Sequence, residues 1–165
     1  MDFFDYFQSI DLTKEVFNFD YKSNHFANNL LYYSEENQDL SDVFIAIIGI
    51  EEERNASSNE GCGKAPDFVR KFLYRLSFNG KKKVADFGNL KNGATVEDTY
   101  FALSNILEEL IKKNILPIII GGSQDLTYAN FLAYKNLEQS VNLVAIDAKL
   151  NLDDANHAIN ADNYL

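Results

Sequence analysis

The chain has 165 residues, 46% of them hydrophobic, and its 15 Lys+Arg against 25 Asp+Glu give a formal net charge of -10. That content excludes wholesale disorder and suits one domain, while the acidic balance argues against nucleic acid or an anionic membrane as partner, since both need a basic face. A lone Cys62 excludes an internal disulfide. With an acidic Met1-Asp2-Phe3-Phe4-Asp5 opening and no apolar run near the ~20 residues of a membrane helix, neither a secretory signal nor a membrane span is expected, and the expected compartment is the cytoplasm.

Residues 1–41 read as an aromatic-rich lead segment. Ten aromatics fall between Phe3 and Tyr33, mixed with Asn, Asp and Ser and without clean periodicity. So many rings are poorly solvated alone, so the segment is expected to pack on the main domain, with a short helix near residues 26–33.

From residue 42 the pattern becomes regular. VFIAIIGI at 43–50 is a continuous apolar run, the mark of a strand buried on both faces. A polar loop over 51–64 leads into Ala65-Pro66, where proline suits a first helical turn. Phe68, Val69, Phe72, Leu73 and Leu76 follow at helical spacing. Asn79-Gly80 turns the chain into a short second strand at 83–87. Thr95-Val96-Glu97-Asp98 resembles a capping box, and Leu103, Ile106, Leu107, Leu110 and Ile111 form one helical stripe that ends at Asn114. Residues 115–120 read as a third buried strand stopped by Gly121-Gly122, 125–137 as a helix, and 141–146 as a fourth strand. Strand and helix in alternation give an α/β fold: three layers, α/β/α, around a mainly parallel sheet of about four strands.

Ligands of such sheets gather outside the carboxyl ends of the strands, here the loops 51–63, 86–93, 121–125 and 147–154. Gly121-Gly122-Ser123 opening a helix could cradle an anion, or simply make a tight turn. Asp153, Asp154 and His157 form a makeshift metal cluster at best, and a polar loop explains them equally. His25 sits among aromatics and reads as structural. Cys62 has no partner base for a nucleophile's role. Arg54 is either a surface salt-bridge partner or the residue that orders its loop.

Four blocks, in order, carry a family resemblance: IIGIEEERNASSNEGCGKAPDFVRKFLYRL, ADFGNLKNGATVEDTY, LPIIIGGSQDLTYAN and NLVAIDAKLNLDD. Over residues 43–154 the chain resembles the ureohydrolase family of arginase, agmatinase and formimidoylglutamase, closest to the formimidoylglutamase-like branch. The resemblance implies an arginase-like domain, of which residues 42–165 would be the N-terminal part. It also implies two manganese ions bridged by a hydroxide that attacks a guanidinium or amidine carbon. Of the six family ligands, four belong to GGDHS and DAHxD blocks, which match Gly121-Gly122-Ser123-Gln124-Asp125 and Asp147-Ala148-Lys149-Leu150-Asn151. The ligand positions therefore hold Gln124, Asp147, Lys149 and Asn151, and only Asp147 is unchanged. The other two ligands belong to a later SFDxDxxDP-like block that is absent from these 165 residues.

Gln124 and Asn151 offer only neutral amide oxygens, and Lys149 brings an ammonium without a lone pair at neutral pH. The expectation is a degenerate ureohydrolase-like domain, catalytically inactive, with no bound metal or cofactor where the family would use manganese. Its role would be structural, regulatory or ligand-binding, with Ser123, Asp125 and Asp147 as a possible pocket for a small guanidino or amidine compound. Lys149 could replace the metal charge by pairing with Asp147 or Asp125. The alternative is a formimidoylglutamase-type hydrolase of a linear amidine C–N bond whose remaining site lies outside this chain. In the family's strand order, 2-1-3-8-7-4-5-6, strands three and four are not neighbours. Here they are expected to pair directly in the order 2-1-3-4, with a homo-oligomer covering the remaining apolar surface.

Overall fold

The structure, a computed structural model, describes residues 3–57 and 59–147. Its strands in chain order are β1 (Phe7–Gln8), β2 (Leu30–Tyr32), β3 (Val43–Ile50), β4 (Lys83–Leu90) and β5 (Leu116–Ile120). Its helices are α1 (Ala65–Leu73), α2 (Val96–Lys112) and α3 (Leu126–Asn136). The apolar run of β3 lies at the centre of the sheet, parallel to β4 on one side and to β5 on the other. This is an α/β fold in three layers. Ala46, Ile48, Ala85 and Phe87 face α2 and α3, where Leu103, Leu107, Leu110 and Ala129 close the core. Ile47 and Val84, one residue out of phase, face Tyr74 together with Phe17 and Phe26 of the lead segment.

α2 begins and ends as its sequence predicts. Thr95 Oγ1 accepts the Asp98 N–H at 3.1 Å, while Asp98 Oδ2 accepts the Thr95 N–H at 2.9 Å, a complete capping box. Asn114 adopts a left-handed φ of 58°, and the Ile115 N–H reaches back to the Leu110 carbonyl at 2.9 Å.

Two expectations are corrected. Residues 26–33 do not form a short helix. A 3-10 turn, Phe26–Asn29, gives way to β2, which pairs parallel with Val84, Ala85 and Asp86. The edge of β4 supplies backbone partners that a helix would leave unused. Residues 141–146 do not form a fourth strand, so the order 2-1-3-4 stops at β4-β3-β5, and the additional strands lie on β4's far edge instead. Among the described residues nothing pairs with this run: Val144 is 83% exposed and Ile146 fully exposed. An apolar run becomes a strand only where a neighbour offers hydrogen bonds.

The lead segment covers the edge of β4 twice. β2 pairs with its first half and β1, antiparallel, with Asn89 and Leu90 at its end. Between them Gly88 adopts φ +79°, and a Cβ there would lie 2.1 Å from the Gln8 carbonyl oxygen, so only glycine lets β1 approach. Phe7, Phe17 and Phe26 bury their rings, each worth roughly 1.5–3 kcal/mol against the entropy of ordering the segment. Among the described residues no helix is long and apolar enough to cross a membrane.

Two buried charged networks hold the loops at the carboxyl ends. In the first, the fully buried Arg70 of α1 forks onto Asp86 of β4, with Nε to Oδ2 at 2.9 Å and Nη2 to Oδ1 at 2.8 Å. Arg70 also donates to the Gly88 carbonyl and to Asn89 Oδ1, and the Tyr74 hydroxyl and Gly88 N–H donate to Asp86. Burial opposes the Arg70 charge, yet Asp86 more than offsets this and raises its pKa. Burial pushes the Tyr74 phenol far above its usual range, with Asp86 adding to the shift.

In the second network, buried Glu52 accepts from Arg54 Nε at 2.8 Å, from Arg54 Nη2, and from the Thr99 hydroxyl at 2.9 Å. Arg54 continues to the carbonyls of Gly93 and Ala94, and the Ser123 N–H donates to the Glu52 carbonyl at 2.9 Å. Arg54 therefore orders its loop and joins three loops at once. Burial alone raises the Glu52 carboxyl, but the hydrogen bonds from Arg54 and Thr99 outweigh it and hold the pKa below 4.5.

Removing one partner of the first pair strands a charge in the interior. Arg70→Met and Asp86→Ala are each expected to cost about 3–5 kcal/mol, and the double variant less than their sum, measured by urea unfolding as a double-mutant cycle. For Glu52 the folded pKa lies below the unfolded one. Its contribution is therefore complete above the unfolded value near 4.5 and disappears as pH falls through the folded value. Thermal melts of Glu52→Gln should accordingly show a flatter acid limb below about pH 5 than the parent chain.

Candidate functional site

The loops that follow β3 and β5 meet at the carboxyl end of the sheet. Gly121 and Gly122 take φ +83° and +78° there, and a Cβ on Gly122 would lie 3.0 Å from the Glu52 carbonyl oxygen. The Gly122 N–H donates to the Cys62 carbonyl at 3.4 Å and the Ser123 N–H to that of Glu52. Those amides join the two loops, so the tight-turn reading of Gly121-Gly122-Ser123 accounts for them and the anion cradle is not open. Ser123 is buried, and its hydroxyl also points to the Glu52 carbonyl, at 3.4 Å.

Two of the four positions that match family metal ligands come together. Gln124 Nε2 donates to Asp147 Oδ2 at 2.8 Å on the exposed rim. Lys149 and Asn151, and with them Asp153, Asp154 and His157, lie outside the described residues. Asp125, one position beyond Gln124, turns inward and is fully buried. Its Oδ2 accepts from the Tyr100 hydroxyl and from Asn55 Nδ2 at 3.4 Å, while its Oδ1 is buried with no hydrogen-bond partner among the described residues. Burial and the adjacent carboxylate push the Tyr100 phenol far above its ordinary value. Ser123 and Asp125 therefore face inward and Asp147 faces solvent.

Sequence reasoning missed Asn55, Thr99 and Tyr100. Each is an ordinary loop or helix residue by pattern, and only the approach of α2's first turn to the β3 loop gives it a partner. Cys62 is buried, and both that burial and the Glu53 carboxylate raise its thiol pKa, the opposite of what a nucleophile needs. His25 lies away from these loops, beyond the C-terminal end of α1. Its Nδ1 accepts the Lys22 N–H at 3.1 Å and its ring packs on Phe19 and Tyr21, a structural place.

Among the described residues no group of three or more His, Cys, Asp or Glu could hold a metal ion. Gln124 and Asp147 contribute one neutral amide and one carboxylate, and the amide already donates to that carboxylate. This donor set does not fit a pair of manganese ions, which need several carboxylate or imidazole lone pairs converging on them.

The family model described as "Arginase family" matches residues 44–162. The formimidoylglutamase of Macrococcus caseolyticus is 27% identical over 148 residues, 85% of this chain and 48% of that protein. That of Clostridium tetani is 25% identical over 122 residues, 68% of this chain and 36% of that one. The crystal structure of formimidoylglutamase from Bacillus subtilis has a similar fold, with a TM-score of 0.71 at 17% identity over 89% of this chain and 49% of that one. Trypanosoma cruzi formiminoglutamase with Mn2+ gives a TM-score of 0.55 at 26% identity, covering 60% of this chain and 37% of that one. The chain thus spans less than half the length of these curated relatives. With the strand order, the site loops and the match over residues 44–162 in agreement, the chain belongs to the arginase family.

Proposed function

We propose that this formimidoylglutamase-like member of the arginase family keeps the fold without the catalysis and serves a structural, regulatory or small-ligand-binding role. One observation carries the reading: Gln124 Nε2 donates to Asp147 Oδ2 at 2.8 Å. Both residues stand at positions where the resemblance places metal ligands. An amide N–H aimed at a carboxylate occupies a lone pair that a metal would take, and the two side chains satisfy each other without an ion. Lys149 at a third such position would add positive charge where the family needs negative. If the site retains a small guanidino or amidine ligand, Asp147 on the rim and the open Oδ1 of Asp125 are its anchors, with Ser123 holding the loop between them.

A second reading is favoured by the relatives themselves. Several are formimidoylglutamases, and the chain spans under half of the first of them. On that reading the chain is a piece of a hydrolase of linear amidine C–N bonds, and the remaining ligands are supplied from outside these residues.

Metal analysis and turnover separate the two. After dialysis against manganese the chain is expected to hold far less than one ion and to leave formiminoglutamate, arginine and agmatine unhydrolysed. Two tightly held ions with hydrolysis of any of these would overturn the first reading. A thermal shift with agmatine or arginine, absent in Asp147→Asn, would assign the ligand-binding role.

A further inference from the structure

The outward face of α1 is apolar and open. Phe68 is 59% exposed, Val69 41% and Phe72 51%, and Leu76, one turn further, is 58% exposed. The Phe68 and Phe72 rings meet edge to face at 5.2 Å, so the stripe is a continuous surface. The lead segment extends it at both ends. Val16 lines the same groove as Phe68, and exposed Phe19 stacks under the Arg75 guanidinium at 4.3 Å. Single exposed apolar residues are ordinary, but a helix and its following turn that present four in one stripe mark a contact surface.

The charges around this stripe are divided by end. At the N-terminal end of α1 an open groove of about 470 Å³ is lined by Glu51, Glu53 and Asp67 against one Lys64. At the C-terminal end stand Lys71 and Arg75, and Lys81 and Lys82 follow in the connection to β4. Arg75 Nε is buried there without a hydrogen-bond partner among the described residues.

We propose that this face is an isologous interface on which a second copy of the chain docks with its α1 antiparallel. A two-fold axis near Phe72 sets Phe68 of one copy against Leu76 of the other. The same rotation brings the acidic groove of each copy to the basic end of its mate. The arrangement is self-complementary in charge although the whole chain carries -10, because the opposing charges are segregated along one helix. At ~150–250 Å² per fully buried aromatic, the half-exposed side chains contribute roughly 300–500 Å² per copy, below the ~800 Å² per partner of a standard interface. The dimer is therefore weak and concentration-dependent.

Sedimentation velocity of the full chain over about 1–100 μM tests this. The expected result is a monomer–dimer equilibrium that weakens as salt rises, since its charge contacts are screened. Phe72→Asp, at an exposed position and checked for folding by circular dichroism, should weaken it at least ~tenfold, and Lys71→Glu should weaken it without touching the apolar stripe. A monomer at every concentration overturns the proposal. So does a dimer unchanged in a folded Phe72→Asp or in Lys71→Glu, which would place the contact elsewhere, including on a partner-facing strand edge.

Discussion

A guanidinium sealed between a helix and a sheet survives only if every direction it points in is answered. Arg70 is answered by Asp86 through two parallel hydrogen bonds, by the Gly88 carbonyl and by Asn89. Much of the chain's geometry follows from that demand. Gly49 must lack a side chain because a Cβ there would lie 2.0 Å from Asn89 Oδ1 and 2.6 Å from Arg70 Nη1. Tyr74 must sit one turn after Arg70 so that its hydroxyl reaches the same carboxylate. Asn89, held by Arg70, passes its own N–H to Glu51 at 2.7 Å and so fixes the start of the candidate-site loop. A hydrophobic replacement of the whole set could be equally stable, but it would not define the angle between α1 and β4 so narrowly.

From that fixed layer the site loops are joined by backbone groups more than by side chains. The Glu52 carbonyl receives Ser123, the Cys62 carbonyl receives Gly122, and the Glu52 carboxylate gathers Arg54 and Thr99. The architecture that positions ligands in the arginase family is thus intact at the carboxyl ends of β3 and β5. What differs is the chemistry mounted on it, where an amide and a carboxylate bond to each other at positions that match metal ligands. Scaffold and chemistry depend on different atoms, so one can be retained while the other changes.

The lead segment shows how a sequence without periodicity still acquires a definite place. Its two short strands are individually too small to hold a sheet edge, yet β4 presents unpaired groups on that side and each strand answers half of them. Aromatic rings then anchor the intervening turns: Tyr33 stacks on Phe87 with centroids 4.4 Å apart, and Phe17 on Tyr74 at 5.6 Å.

The periodic part of the chain is legible from its residues alone. The apolar runs of β3 and β5, the capping box at Thr95, the stripe of α2 and the glycines after β5 each carry a local physical signature, and the parallel order around β3 follows from the crossover rule. The same signals locate the candidate loops and the changed ligand positions, because those rest on residue identity. Illegible are the features whose energy comes from a distant partner. The run at 141–146 reads as a strand yet has no neighbour among the described residues, whereas Leu30–Tyr32 reads as helix yet borrows β4's edge. Thr99, Asn55 and Tyr100 become site residues only through contacts 25 to 70 positions away. Local pattern determines which segments can be helix or strand and which side chains are present. Tertiary contact alone decides which backbone groups find partners and which buried charges meet, because those free energies exist only once both partners have left water.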